Sequence, residues 1–581
     1  EMRIVISSIV KLTRWSWLLI VILLAYRFLS SGLSTQSLNQ SLQPTRFISI
    51  LGKTQQHDGL SSTIHSSSGE EWSTPELQEI NRSISLLDEI YLQDLKEAKL
   101  QKANHADWLT RCRRISLALV GSGLSLEEIR NLEQLPEEKR EETHLRNLLL
   151  DSRHHHYWAE RWARYLVGTD GGQFITYRRR RFRIWLAEVI SENVPYDQIV
   201  HDLLTAEGLW TDRPEVNFYT ATFDSNDGNA DPIRLAARTA RVFLGLRIDC
   251  LQCHDDFLGN VNLGDADKPR EGKQQDFHQL AAFFTAAKTN GLQGIKSGSC
   301  DYSYQYLDAA EEIIVNPKVP YGEDLVGTET NPRHQLASWI THPENQQAAR
   351  SAVSHVWALL YGKPIGEAVD NLPLDETVHP LLDALAKDFI DHGFDIRRLI
   401  KVITGLQAFR VDSRADFQVT EEHEKHYAVF PLTQLRPEQV AGAIIQASRI
   451  KKTDRDSSLL LQFQKLIATN EFVERFGDRG EDEFDSEHVT ITQRLLMMNG
   501  KMVHESIESN PILNTTGHLA MFAQDDQMVI HSAYLCTLNR YPTEVEQERF
   551  SQRLRDADDR GKAIEDLMWV LTNSSELTWN H

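Results

Sequence analysis

Cysteine is scarce in this chain, since only 5 of its 581 residues are Cys. So few thiols exclude a small scaffold held together by disulfides, because such scaffolds are dense in cysteine. Cys112, Cys300 and Cys536 are widely separated, and we interpret them as buried or unpaired thiols. Only Cys250 and Cys253 lie close together in the sequence.

Positive charge is also in short supply. Against 62 Lys and Arg residues the chain has 83 Asp and Glu residues, and its formal net charge is -21. A nucleic-acid backbone is repelled by a protein of that sign, so we expect no nucleic acid among the partners. The same charge argues against broad adsorption to anionic lipid.

Several motifs of common enzyme classes are missing. The chain has no P-loop, no GxGxxG, no GxSxG and no internal repeat. His423-Glu424-Lys425-His426 lacks the HExxH spacing of a metalloprotease. His154-His155-His156 resembles a metal tract, but consecutive side chains on a helix do not face one point. No enzyme class is therefore indicated by these patterns.

The N-terminal segment has the layout of an export signal. Residues 15–26 form an apolar run that basic residues precede. The run is shorter than the roughly 20 residues that a spanning helix prefers, so residues 1–29 are predicted to be a signal anchor or a cleaved signal peptide. The positive-inside rule places the rest outside the cytoplasm. We expect a single-pass cell-membrane protein with its bulk periplasmic or at the cell surface.

The remainder is predicted to be mostly α-helical. Residues 30–72 are rich in Ser, Thr, Gln and Gly without sustained apolar periodicity, which indicates a flexible linker. Apolar residues then recur at helical spacing, with Gly, Ser, Asn and Pro punctuation around residues 293–320. We predict a multi-helix protein of two domains, residues 73–300 and 321–581, behind the membrane segment and tether.

Aromatic and apolar residues at helical spacing predict the core. Ser125 followed three positions later by Glu128 predicts a capped helix start. The residues that we expect to be buried are Trp158, Trp162, Tyr165, Trp357, Trp569 and the run 495–498.

One short sequence has specific chemistry, Cys250-Leu251-Gln252-Cys253-His254. Two thiols at this spacing can each add across one haem vinyl group, and the adjacent imidazole then lies on the proximal side of the iron. Chance predicts only about 0.002 occurrences of the pattern in a chain of this composition. We predict that Cys250 and Cys253 bind haem c and that His254 is the proximal iron ligand. An export signal favours haem, since covalent attachment occurs outside the cytoplasm.

Two other interpretations of the motif stay open. It can belong to another metal site such as zinc, although we see no second half-site with further ligands. It can also have a structural role or form a disulfide. A redox-active dithiol is not indicated, because no thioredoxin-like pattern surrounds the motif. For the distal side of a haem iron the closest candidate in sequence is His278. Further candidates are His201, His355, Met497, Met498 and Met521.

A basic run stands out in this acidic chain. Such a run can bind the anionic groups of an acidic or sulfated glycan, or it can be a solvated helix face paired with nearby acids. The run consists of Arg178, Arg179, Arg180 and Arg181, and Arg183 follows it.

Several segments in a fixed order resemble a known pair of domains. Residues 158–165, 195–198, 243–246 and 250–255 resemble the planctomycete cytochrome-C-like domain, domain of unknown function 1549. Residues 327–333, 357–362, 392–395, 495–500 and 573–581 are similar to its usual C-terminal partner, domain of unknown function 1553. The resemblance covers about residues 80–581 and implies a cytochrome-like first domain.

Two positions depart from that pattern. Asp255-Asp256 stands where the family has Asp-His, and Ser354-His355 stands where it has Asn-Arg. If the family's His ligates or tunes a metal, this chain has lost it.

The leading hypothesis is therefore an exported, membrane-tethered protein that bears a c-type haem and exchanges electrons with a redox partner protein. One alternative is a surface protein without haem that has a structural or glycan-binding role. Another is an accessory enzyme of polysaccharide degradation that holds acidic sugars with Arg178–Arg181.

Overall fold

The computed structural model describes most of the chain after residue 71. The predicted membrane segment, nearly all of the predicted linker, and Cys300 lie outside the described residues. Gly69–His581 is one compact unit. The described residues are 72–169, 176–226, 228–257, 259, 261–265, 268–298, 301–307, 309–374, 378–451, 469, 471–477, 484, 490–508 and 514–581.

Helices dominate the described residues, which confirms the mostly α-helical prediction. In the first half they are Thr74–Glu97, Trp108–Val120, Leu126–Glu133, Glu137–Leu149, Ser152–Val167, Arg179–Ser191, Tyr196–Thr205, Asn217–Thr220, Pro232–Leu244 and Gln274–Ala282. In the second half they are Pro332–Ile340, Gln346–Tyr361, Pro380–Asp391, Ile396–Gly405, Gln407–Arg410, Glu421–Lys425, Pro437–Ala447, Ile491–Asn499, Lys501–Ile507, Thr515–Phe522, Asp526–Leu538, Glu544–Arg555 and Arg560–Thr572.

The strands of the described residues are two or three residues long and form antiparallel pairs. The pairs are Asn262–Leu263 with Arg270–Glu271, Ala287–Thr289 with Ile295–Ser297, Ser303–Tyr304 with Ile313–Ile314, and Thr433–Gln434 with Trp579–Asn580. The last pair joins residues far apart in the chain.

Helix starts follow the local chemistry of the sequence. Ser125 and Glu128 form a reciprocal capping box at the start of Leu126–Glu133, as predicted. Asp231 caps Pro232–Leu244 by accepting from two main-chain N–H groups of the first turn, and proline occupies the first helical position. These caps satisfy N–H groups that have no partner within the helix.

The apolar core runs across the boundary that the sequence suggests. One cluster of buried residues extends from Ile80 to Phe430 and contains residues of both sequence halves. A second cluster gathers residues from Leu435 to Leu577 and also takes Leu117 from the first half. The domain bounds of 73–300 and 321–581 therefore stay a prediction from sequence.

Most of the predicted core residues are buried. Trp357 is completely buried, and Trp158 and Trp162 are buried as well. The prediction was wrong for Trp569, which is 39% exposed, because its helix packs inward with Ala563, Ile564, Leu567, Met568 and Leu571. It was also wrong for Leu495 and Met498, which are exposed. Within the run 495–498 only Met497 is fully buried.

Two consecutive arginines connect an early helix to the last residues of the sequence. Arg113 donates to the carbonyl oxygens of Glu576 and Trp579, and Arg114 donates to the carbonyl oxygen of His581 at 2.8 Å. Both side chains are buried. Because buried guanidinium groups need several acceptors, these carbonyls keep helix Trp108–Val120 joined to residues 576–581.

A helix that crosses a membrane must be long and apolar. Within the described part of the chain, no helix is both long and apolar enough to cross a bilayer.

Candidate functional site

A tight turn carries the two neighbouring cysteines. Helix Pro232–Leu244 ends at Gly245, whose φ of 61° lies in the left-handed region that favours glycine. The chain then forms a 3₁₀ turn over Asp249–Gln252, and the Cys253 N–H donates to the Cys250 carbonyl oxygen at 3.2 Å. Residues three apart in such a turn lie on one side. Both cysteines are free thiols and both are exposed.

The carbonyl oxygen of Gln252 fixes the turn from behind. It accepts hydrogen bonds from His278 Nε2 at 3.0 Å, from Gln274 Nε2 at 3.1 Å and from the Tyr304 hydroxyl at 3.3 Å. Three donors on one carbonyl restrain its direction strongly. The peptide between the two cysteines is therefore held at a defined orientation while the thiols remain accessible.

His278 helps to hold the Gln252 carbonyl oxygen. Both of its ring nitrogens are hydrogen-bonded, so neither is available to a metal in the observed conformation. Its side chain is fully buried, and its ring stacks on Tyr304 with a centroid separation of 3.5 Å. Nδ1 accepts from the Tyr302 hydroxyl at 2.7 Å, while Nε2 donates to Gln252. Burial lowers the pKa of His278, so the ring is neutral. A distal-ligand role would require that both of these bonds break.

The other distal candidates are packed elsewhere or exposed. The His355 ring is buried and stacks on Tyr165 at 3.9 Å, and His201 faces His334. Met497 belongs to the second apolar cluster, whereas Met498 and Met521 are exposed.

His254 has the hydrogen bonding of a histidine that is ready to bind a metal. Its Nδ1–H donates to the carbonyl oxygen of Asp255 at 2.7 Å, and the side chain is exposed. A carbonyl can only accept, so Nδ1 carries the proton and Nε2 keeps its lone pair. Among the described residues Nε2 has no hydrogen-bond partner. Metal-bound histidines commonly use their second nitrogen in this way.

The two acids that follow His254 are structural. Asp255 accepts from the Gln274 main-chain N–H at 2.8 Å. Asp256 is buried and accepts from the Val261 N–H at 2.6 Å. The residue that replaces the family's His therefore holds the main chain at Val261. Two causes raise the pKa of the Cys250 thiol, first its partial burial and second the Asp256 carboxylate. The thiol therefore stays protonated at neutral pH.

The donor chemistry of this turn fits a covalently attached haem. It offers two exposed free thiols three positions apart and one imidazole whose Nε2 has no hydrogen-bond partner among the described residues. In the described parts of the chain no group of three or more His, Cys, Asp or Glu side chains is placed to hold a metal ion by itself. A closed zinc site would need four such ligands.

A bound haem needs an apolar pocket that excludes water, so the motif leads us to expect a cavity beside the turn. Cys250, Cys253 and His254 all face solvent, so the described residues do not enclose the turn in an apolar pocket. The exclusion of water from a bound haem would therefore depend on the surface around the turn.

Comparison with protein families finds two matches. Residues 86–289 match the family described as protein of unknown function DUF1549, named PSCyt2, and residues 332–554 match the protein of unknown function DUF1553, named PSD1. The two matches occur in the order that the sequence resemblance predicts and confirm it. The PSCyt2 match contains the 250–254 turn and His278, whereas the PSD1 match contains Trp357. No curated protein and no solved structure matches the chain.

The basic run of the PSCyt2 domain is partly neutralised. Arg179 and Arg183 donate to the two carboxylate oxygens of Glu160 at 2.9 and 3.1 Å. Burial alone would raise the pKa of Glu160, but the charge of Arg179, foremost among its neighbours, outweighs it and holds the pKa at about 2. Arg180 and Arg181 are exposed on the first turn of the same helix.

Some supports of the turn were not predicted from the sequence. Gln274 and Tyr304 act through contacts with a main-chain carbonyl, which leave no pattern in side-chain spacing. One signal was present, because Tyr302, Tyr304 and Tyr306 alternate and their rings all lie within 6.0 Å of the His278 ring. Tyr302 and Tyr304 follow the end of the PSCyt2 match.

Proposed function

We propose that this protein carries one haem c bound through Cys250 and Cys253, with His254 as an iron ligand, and that it transfers electrons. One observation carries the proposal: the Nδ1–H of His254 is used on the Asp255 carbonyl, so Nε2 is free beside two exposed free thiols. A bound haem supplies one-electron exchange at its iron.

The residues of this chain have separate tasks in that proposal. Cys250 and Cys253 hold the cofactor by two thioether bonds. The Asp255 carbonyl fixes the tautomer and orientation of His254, as second-shell acceptors do for metal-bound histidines. His278, a positioning residue, orients the turn through the Gln252 carbonyl.

The location is part of the same proposal. Haem c is attached outside the cytoplasm, and the apolar and basic pattern of residues 1–29 supports export with a membrane tether. A redox partner protein would then meet the exposed 250–254 turn outside the cytoplasm. A reporter enzyme fused after Ser68 should be active outside the cytoplasm, and activity confined to the cytoplasm would contradict the proposed topology.

Arg180 and Arg181 support a second candidate role, the binding of an acidic or sulfated glycan. Both are exposed next to each other, although their neighbours Arg179 and Arg183 are engaged with Glu160. Retention on a sulfated polysaccharide column should fall in the Arg180→Ser/Arg181→Ser variant. Equal retention of the wild-type protein and this variant would remove the candidate.

Covalent haem is tested in a host with haem-c maturation. The wild-type protein should keep haem through denaturing electrophoresis and give a c-type absorption spectrum after denaturation in pyridine. Cys250→Ala/Cys253→Ala should abolish both signals. His254→Ala removes the proposed iron ligand and should change the absorption spectrum of the bound haem. His504→Ala, which removes an exposed histidine of the PSD1 domain, is its control and should leave the spectrum unchanged. Wild-type protein without covalent haem would overturn the proposal.

A further inference from the structure

Phe257 is an exposed aromatic residue directly beside the proposed iron ligand. Its side chain is 79% exposed, although its ring lies next to that of His254 with a centroid separation of 6.0 Å. Single exposed apolar residues are common and by themselves indicate nothing. The orientation of this ring is more informative, because the planes of the two rings differ by only 20°.

That orientation has a consequence for any planar group bound at His254. His254 would hold such a group through Nε2, since its Nδ1–H is used on the Asp255 carbonyl oxygen, and a haem held there would supply one-electron exchange. Because the Phe257 ring lies beside the His254 ring and is nearly parallel to it, Phe257 would be an exposed aromatic neighbour of a group held by His254.

We propose that Phe257 forms the apolar support of the porphyrin on the His254 side. This inference rests on the proposed function and adds a residue to its binding site. The aromatic ring covers porphyrin surface next to the iron and excludes water from it. It thereby supplies part of the apolar contact that an exposed turn does not provide by itself.

The fold does not need the Phe257 side chain. The loop is closed by Asp256, which holds the Val261 N–H, and Phe257 itself projects into solvent. Replacing it should therefore leave the protein without haem as stable as before. An effect that appears only when haem is bound would belong to the contact with haem.

The expected effect is on the reduction of the iron. Water and its high dielectric constant favour the more charged ferric form, and an apolar cover favours the ferrous form. At a fixed applied potential near the midpoint, Phe257→Ala should lower the ferrous-to-ferric ratio about tenfold, which corresponds to about 59 mV for one electron. Phe257→Tyr keeps the ring and should retain most of the wild-type ratio.

The experiment compares Phe257→Ala, Phe257→Tyr and the wild-type protein by spectroelectrochemical titration of the full chain. Phe522→Ala is the matched control, because Phe522 is 68% exposed and lies in the helix Thr515–Phe522 of the PSD1 domain. All four proteins should carry equal amounts of covalent haem. In the Cys250→Ala/Cys253→Ala background, Phe257→Ala should leave the thermal unfolding midpoint unchanged.

The outcomes separate the two proposals. Covalent haem with the same ferrous-to-ferric ratio in Phe257→Ala and wild type overturns this inference and leaves the proposed function standing. An equal fall in Phe257→Ala and Phe522→Ala also overturns it, since the effect would not be local. Absence of covalent haem from the wild-type protein overturns the proposed function and this inference with it.

Discussion

His278 lies 26 positions after Gln252 in the sequence, yet its Nε2 donates to the Gln252 carbonyl oxygen over 3.0 Å. The same imidazole accepts from the Tyr302 hydroxyl through Nδ1. This buried ring belongs to helix Gln274–Ala282, stacks on Tyr304 of strand Ser303–Tyr304 and bonds to the turn with both cysteines. The position of the exposed thiols depends on a side chain that is itself out of reach of solvent.

Replacing His278 by another aromatic residue should disturb the turn without leaving a cavity in the core. His278→Phe can keep the ring stack on Tyr304, but it removes a donor to Gln252 and leaves the Tyr302 hydroxyl without its acceptor. We expect a loss of about 1–3 kcal/mol in the free energy of unfolding, measured with urea, and a smaller fraction of protein with covalent haem. His504→Phe at an exposed site should change neither. Wild-type stability of His278→Phe would contradict the support that we describe.

The thiol of Cys250 should become more acidic when Asp256 loses its charge. Burial and the Asp256 carboxylate both raise the pKa of Cys250. Asp256→Asn removes the charge but keeps an oxygen for the Val261 N–H, so the midpoint of alkylation against pH should move to lower pH. This midpoint is measured from the rate of reaction with iodoacetamide at a series of pH values.

A suitable background isolates that thiol. Cys253→Ser and Cys300→Ser leave Cys250 as the reactive residue, because Cys112 and Cys536 are buried. Asp391→Asn, at an exposed carboxylate, is the control and should not move the midpoint. An unshifted midpoint in Asp256→Asn would show that the Asp256 charge has no effect on Cys250.

Acid should destabilise the protein through its buried histidines. Burial lowers the pKa of His144 to about 4 and those of His154 and His355 to about 3. In the unfolded chain these three histidines take up protons near pH 6.5, whereas in the folded chain they stay neutral at that pH. Stability is therefore complete above pH 6.5 and falls as the pH drops towards 4, by up to about 1.4 kcal/mol per pH unit for each histidine.

One substitution checks that assignment. His355→Phe removes a titrating group from an aromatic environment, since His355 stacks on Tyr165 and lies against Trp162. The loss of unfolding free energy between pH 7 and pH 5 should be about 2 kcal/mol smaller than in wild type. His504→Phe should reproduce the wild-type pH dependence. If all three proteins lose the same free energy, His355 does not stay neutral on folding.

Two tryptophans provide a direct test of the core. Trp357 is completely buried and stacks on Tyr361, whereas Trp569 is 39% exposed. Trp357→Ala should lower the free energy of unfolding by about 3–5 kcal/mol, because it removes a large buried side chain and leaves a cavity. Trp569→Ala should cost about 1 kcal/mol or less. Urea denaturation followed by circular dichroism measures both, and equal losses would contradict the burial difference.

Local sequence was enough to predict elements whose causes are local. The Ser125–Glu128 capping box and the buried face of Trp158 and Trp162 follow from spacings of three and four residues. Trp569 was predicted wrongly because apolar residues occur all around its helix. Leu567 and Met568 precede it, Val570 and Leu571 follow it, and only the packing of neighbouring helices selects the inner face.

The chemistry of the candidate site was visible in the sequence, but its supports were not. The spacing of Cys250, Cys253 and His254 identifies the donor atoms. The donors that hold the Gln252 carbonyl come from positions 274, 278 and 304, and nothing in the sequence states that these side chains meet one oxygen. The sequence also suggested an enclosed cavity, whereas exposure of the turn is a result of the whole fold.

The bonds from Arg113 and Arg114 to residues 576–581 set an order of events during biosynthesis. Residues 576–581 are translated long after the 250–254 turn, by an interval on the order of tens of seconds at about 5–20 residues per second. Until they arrive, the acceptors of both guanidinium groups at Glu576, Trp579 and His581 do not exist. Folding around helix Trp108–Val120 therefore cannot be completed until residues 576–581 have been made, well after Cys250 and Cys253.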